Sequence, residues 1–158
     1  MPLAYAILKN LFVNTAEKFF TKEEQDLIVS AINTAEKNTS GEIRVHLEAI
    51  CYGDAMVRAK KVFTKLGMQK TKEQNGILIY IATDSRKMAV IGDGGIHKKL
   101  GTEYWDKIVQ GLVSKFKTGE HGAGLADAII DCGKQLQQYF PYASDDKNEL
   151  NDSISFKA

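Results

Sequence analysis

The stretch "NGILIYIATDSRKMAVIGDGGI", residues 75–96, decides the fold. "ILIYIA" is a continuous apolar, β-branched run of strand length, the signature of a strand covered on both faces. "KMAVIG" follows after a short break, and two such runs so close in sequence form a hairpin with Asp84 and Ser85 in the turn. Asp93 then stands among Gly92, Gly94 and Gly95. Asp and Gly are ordinary turn residues, so either acid could be mere punctuation or part of a binding site.

Working upstream, "GEIRVHLEAI" alternates strictly. Ile43, Val45, Leu47 and Ala49 fall on one face, and Glu42, Arg44, His46 and Glu48 on the other. Period two predicts a strand with one apolar and one polar face. Between the two strands, "GDAMVRAKKVFTKLG" has helical period through Ala55, Ala59, Val62 and Phe63, with Gly67 as its stop. Thr21 and Glu24 form a capping box that opens an amphipathic helix over 22–38. Downstream, a short helix "GIHKKLG" precedes two long ones, which carry Trp105, Ile108 and Leu112, then Leu125, Ile129, Cys132 and Leu136. The expected architecture is α/β, a three-layer sandwich. A small mixed β-sheet, with strands near 42–49, 76–83 and 87–92, is flanked by helices. The strand–helix–strand unit pairs the first two strands in parallel, and the hairpin adds the third antiparallel.

The 158 residues suit one domain. We read residues 1–20 as an N-terminal helical extension, 21–142 as the α/β domain and 143–158 as a polar tail. The tail holds only Leu150, Ile154 and Phe156 as large apolar groups, so its removal should leave the melting temperature nearly unchanged. A formal net charge of +1 predicts no nucleic-acid or membrane-surface partner. The opening segment has no basic n-region and Lys9 interrupts its apolar run, so a soluble, cytoplasmic monomer is expected. Cys51 and Cys132 are too few and too far apart for a disulfide scaffold, and neither has a ligand-spaced partner for zinc. Both read as small buried hydrophobes.

In an open α/β sheet, ligands bind beyond the carboxyl ends of parallel strands. Asp54, Asp84 and Arg86 are expected to converge there. Two carboxylates with loop carbonyls suit a hard divalent cation, and a nearby Arg can grip phosphate bidentately. Flexible loop ligands favour calcium over magnesium. The plainer roles are an N-cap for Asp54, worth ~1 kcal/mol, and a turn residue with a surface ion pair for Asp84 and Arg86. The opposite rim gathers Ser40, Glu42, Asn75 and Asp93, where the alternatives are a turn or a second metal site with Asp93 and Glu42 as ligands. His46 reads as a hydrogen-bonded structural histidine, while His97 and His121 have no evident partners. No Gly-x-Ser-x-Gly elbow, phosphate loop or His-Glu-x-x-His occurs, and "DDKNELND" lacks the spacing of a calcium loop.

In their order, "SGEIRVH", "NGILIYIATDSRKMAVIGDGGI", "YWDKI" and "FKTGEHGAGLADAI" resemble the TPM domain, over about residues 20–142. That family includes thylakoid-lumen photosystem-repair proteins and many bacterial ones, and this chain is similar to a small stand-alone bacterial branch. The resemblance implies an α/β sandwich, divalent-cation binding and a modest acid-phosphatase activity of unclear physiological substrate. It aligns Asp84 and Arg86 with the family's acid–Arg pair in the hairpin turn and so marks them as the catalytic candidates. Asp93 replaces a larger or aromatic residue found in most relatives. The expectation is therefore a calcium-binding domain with weak metal-assisted hydrolysis of phosphate esters. The alternative is a non-catalytic, calcium-dependent protein-interaction module. No side-chain nucleophile or general base stands out to favour the first.

Overall fold

A computed structural model describes residues 16–142 and 154–158. The elements run α1 (Lys22–Glu36), β1 (Glu42–Glu48), α2 (Ala55–Lys65), a 3-10 turn (Met68–Lys70), β2 (Gly76–Ala82), β3 (Lys87–Gly92), α3 (Gly94–Leu100), α4 (Thr102–Lys117) and α5 (His121–Tyr139). The strand order is β1-β2-β3. β1 and β2 are parallel, with Glu42 beside Gly76 and Glu48 beside Ala82. β2 and β3 are antiparallel, with Ala82 beside Lys87. All seven residues of β2 are buried, as its unbroken apolar run requires of a strand covered on both faces.

Two hydrophobic clusters fill the spaces above and below the sheet. The larger joins Ile43, Val45 and Leu47 of β1 and Ile77, Ile79 and Ile81 of β2 to α1, α4 and α5. The smaller joins Leu78, Tyr80 and Ala89 to Ala59, Val62 and Phe63 of α2. The alternation of β2 and β3 thus feeds two cores, while β1 gives its apolar face to the larger one alone, giving three layers. Helices α1 and α5 approach very closely: a Cβ on Gly133 would lie 2.5 Å from that of Ala35, so only glycine fits. Glu24 completes the expected capping box with Thr21 and also accepts from the Gly122 amide at 2.8 Å, tying the two helix N-termini together.

Three expectations need correction. Helix α1 ends at Glu36 rather than 38, because Lys37 is extended and Asn38 takes a φ of 63°. The hairpin loop is four residues, Thr83–Arg86, because the amides of Asp84 and Ser85 donate to Ala49 O and hold it against the end of β1. The tail also does more than expected. Ser155 pairs with His46 in a parallel bridge, its amide bonding Val45 O at 2.8 Å and its carbonyl accepting from Leu47 N at 2.9 Å. Ile154 and Phe156 pack on the larger core. The exposed edge of β1 offers unpaired backbone groups, and the end of the chain satisfies them. The helical extension expected over 1–20 lies outside the described residues up to 15, and so do residues 143–153 of the tail.

Candidate functional site: two rims of one sheet

At the C-terminal rim, the β1–α2 loop and the β2–β3 loop lie side by side, as strand order demands. Of the cation ligands expected there, Asp54 and the loop carbonyls are engaged and Asp84 is not. Asp54 Oδ1 accepts from Val57 N at 3.0 Å, the plain N-cap role. The ammonium of Lys87 donates to Cys51 O at 3.0 Å and Gly53 O at 2.8 Å, so a side-chain cation already sits on the loop carbonyls. Cys51 N donates to Ser85 Oγ at 2.9 Å. Asp84 and Arg86 are exposed, and among the described residues neither side chain makes a hydrogen bond or ion pair. A divalent ion on the loop carbonyls would compete with Lys87, and one on Asp54 would share that carboxylate with the helix cap.

The same rim holds a polar cluster that sequence reading divided among single residues. Glu48, at the end of β1, accepts from Arg58 Nε at 2.8 Å and from Arg58 Nη2 at 2.7 Å. The Tyr80 hydroxyl donates to it as well, and His46 Nε2 lies 3.3 Å away. His46 is fully buried, with its Nδ1 3.2 Å from Ser155 Oγ and its ring stacked on Tyr80. Burial pushes the Glu48 carboxyl up, but hydrogen bonds from Arg58, His46 and Tyr80 outweigh it and hold the group far below the usual carboxylate range. The Tyr80 hydroxyl is raised by burial and by its bond to Glu48. The signal was present: the strand period put Arg44, His46 and Glu48 on one face, and pairing set that face beside Tyr80 and α2. The structural role expected for His46 holds. His97 and His121 also have partners, since Trp105 Nε1 donates to His97 Nδ1 at 2.9 Å and His121 Nε2 lies 3.2 Å from Phe116 O. Both cysteines are buried and free, and burial pushes the Cys132 thiol up to about 12.

The N-terminal rim differs. Register places Glu42 beside Gly76, and Gly76 O accepts from Asp93 N at 2.9 Å, so the backbones of Glu42, Asn75 and Asp93 lie at neighbouring strand ends, with Met68 and Phe63 packed over Gly76. Asp93 caps α3, with Oδ1 accepting from Gly94 N at 2.8 Å, while its Oδ2 is buried with no hydrogen-bond partner among the described residues. Asn75 is 1% exposed. Its Nδ2 donates to Ser40 Oγ at 3.1 Å and to Glu73 Oε2 at 3.4 Å, the orientation in which both are acceptors, and its buried Oδ1 meets no donor among the described residues. The Glu42 carboxylate is 2% exposed. The cradle is tight: a Cβ on Gly95 would meet Glu73 O at 2.2 Å. Buried acceptors lacking donors are rare and costly in folded proteins. An ordered water or a hard cation would satisfy oxygens of this kind. Among the described residues no group of three or more His, Cys, Asp or Glu is placed to hold a metal, so an ion here would draw on two carboxylates, the Asn75 amide oxygen and water.

The sequence model of the TPM domain matches residues 13–135. The chain belongs to the TPM domain family. Among solved structures, this TPM chain is similar to the BA42 protein of the psychrophilic bacterium Bizionia argentinensis. They share 45% identity, a TM-score of 0.81, 89% of this chain and 97% of that one. The N-terminal domain of a P. gingivalis protein shares the fold, with a TM-score of 0.67 at 15% identity over 80% of this chain and 83% of that one. No curated protein matches. No helix among the described residues is long and apolar enough to cross a membrane.

Proposed function

We propose that this TPM domain binds a divalent cation, calcium before magnesium, at the N-terminal rim through Glu42, Asn75 and Asp93. The observation that carries the reading is the pair of buried acceptors, Asn75 Oδ1 and Asp93 Oδ2, with no hydrogen-bond donor. Loop-end and strand-end ligands suit the irregular coordination of calcium better than a strict octahedron. The family resemblance adds slow hydrolysis of phosphomonoesters. A bound cation would polarise a phosphoryl oxygen and lower the pKa of a coordinated water. The chain's own part is to hold that ion with two carboxylates. Among the described residues the rim offers the hydroxyl of Ser40, which donates to Glu73 at 2.7 Å and accepts from Asn75, and no general base is assigned to it; that accords with low turnover and keeps the calcium-dependent interaction module as the second reading.

The test is a calcium titration of chelator-treated protein followed by amide shifts, with phosphate-ester hydrolysis measured in parallel. Shifts first at residues 40–42, 73–76 and 92–96, lost in Asp93→Asn, support the reading. Shifts first at 51–55 and 83–86 return the ion to Asp54 and Asp84. Hydrolysis that follows calcium occupancy marks an enzyme, and occupancy without hydrolysis marks the interaction module.

A further inference from the structure

The C-terminal rim opens into a cavity of about 510 Å³ between the hairpin loop, α4 and the start of α5. That volume falls within the ~300–1,000 Å³ typical of small-molecule sites. Its body is apolar and partly aromatic. Phe19 and Phe116 stack with ring centroids 5.9 Å apart, the His121 ring stacks on Phe19 at 4.8 Å, and Met88 and Val113 complete the wall. The charged side chains around it share one sign. Arg86, Lys87 and Lys117 line the cavity, and among the described residues no Asp or Glu does. Lys87 is engaged by the loop carbonyls of Cys51 and Gly53. Arg86 and Lys117 make no ion pair among the described residues, whereas Lys115, two residues away, lies 3.8 Å from Glu120.

Arg86 is also held in a conformation that its side chain does not favour. It closes the hairpin loop at φ 53°, in the left-handed region where glycine or asparagine is the usual occupant. A bulky residue kept at such a position is a reason to ask what its side chain does. Here the guanidinium stands at an apolar cavity without a counter-charge, a planar fork suited to a carboxylate or phosphate.

We propose that this cavity binds small molecules that join an apolar, aromatic body to a single anionic head group. The body lies against Phe19, Phe116 and Met88, and the head meets Arg86 and Lys117. The proposal is independent of the cation reading, which concerns the opposite end of the strands.

The experiment is an NMR titration of the full chain, kept in chelator, with phenyl phosphate and with benzoate. Benzyl alcohol, benzylamine and inorganic phosphate serve as comparisons. Both aromatic anions should shift amides within 81–88 and 113–121. The neutral alcohol and the bare phosphate should bind at least tenfold more weakly, and the amine should not bind there. In the double variant R86Q/K117Q, whose altered side chains are exposed, aromatic-anion affinity should fall at least tenfold while the remaining amide shifts stay unchanged. Phenyl phosphate binding alone would assign the head group as phosphate, benzoate alone as carboxylate. Equal binding of benzylamine, undiminished affinity in the double variant, or shifts away from these segments would overturn the proposal. Because calcium and the aromatic anions report on different amides, failure of one reading leaves the other standing.

Discussion

The two ends of β1 each carry a glutamate, and the contrast between their surroundings organises the molecule. At the C-terminal end, Glu48 meets a guanidinium, a phenol and an imidazole, Asp54 meets a backbone amide, and Lys87 meets two carbonyls. At the N-terminal end, Glu42 lies buried beside Asn75 and Asp93, two of whose oxygens meet no donor. At the first rim Glu48 and Asp54 are answered internally, Asp84 stays exposed, and Arg86 and Lys117 line a cavity without an ion pair among the described residues. The second is rich in oxygen acceptors. We propose a cation for the second rim and an anion for the cavity at the first on the strength of this contrast.

The sharpest way to break this contrast is to remove one carboxylate from each rim. Glu48→Ala strands the partly buried Arg58 guanidinium and the Tyr80 hydroxyl, and should cost about 3 kcal/mol, near the lower edge for breaking a buried pair because both side chains keep some solvent. That corresponds to roughly 6–12 °C in Tm for a domain of this size. Asp93→Asn keeps the capping oxygen and removes a buried carboxylate charge, so without calcium it should be nearly neutral. The pH dependence has a definite sign. The carboxyl of Glu48 is depressed in the folded state, so its contribution is complete above the unfolded value near 4.5 and fades as pH falls toward the folded value. Glu48→Gln should therefore flatten the acid limb of the stability curve below about pH 4.5. A steep acid limb that persists in this variant would place the important carboxylate elsewhere.

Calcium gives the next largest effect. An ion bound only by the folded protein stabilises it by about 2.7 kcal/mol at a hundredfold excess over Kd. Thermal melts with and without calcium should show that gain in the wild type and in Asp84→Asn, and lose it in Asp93→Asn. The reverse pattern would exchange the rims.

Truncation after residue 153 comes third. It removes two backbone hydrogen bonds to β1 and the packing of Ile154 and Phe156, and exposes the His46 edge, for an expected cost of roughly 1–2 kcal/mol. Phe156 and Lys157 also border a hollow with Glu48 and Ala49, so the truncation acts at the C-terminal rim. Calcium affinity should be unaffected; a joint loss would show that the two rims are coupled.

What could be read in advance divides along physical lines. The layers, strand order and caps followed from local signals: the unbroken run 77–82, the alternation from Ile43 to Leu47, and Thr21 three residues before Glu24. Strand order alone also placed Asp54 with Asp84 and Glu42 with Asp93. Which carboxylate would be engaged depended on groups that converge only in three dimensions. Lys87 reaching back to Cys51 and Gly53, and Arg58 crossing ten residues to Glu48, have no periodic signature. The tail failed for a similar reason. Ile154, Ser155 and Phe156 look like stray apolar residues until the open edge of β1 is seen beside them.

The smallest effect expected has the opposite sign. Arg86→Gly relieves a left-handed backbone that glycine adopts freely, against a gain in unfolded-chain entropy, for a net stabilisation of a few tenths to about 1 kcal/mol. If the hairpin merely tolerates arginine, this substitution improves the protein and nothing else changes. If the guanidinium serves the cavity, Tm rises while the affinity for phenyl phosphate or benzoate falls, and the calcium response at the far rim is untouched. A melting curve and one titration on a single variant separate these outcomes. A lower Tm in Arg86→Gly would mean that the side chain supports the loop itself, and the unpaired charge at this rim would then need no ligand to explain it.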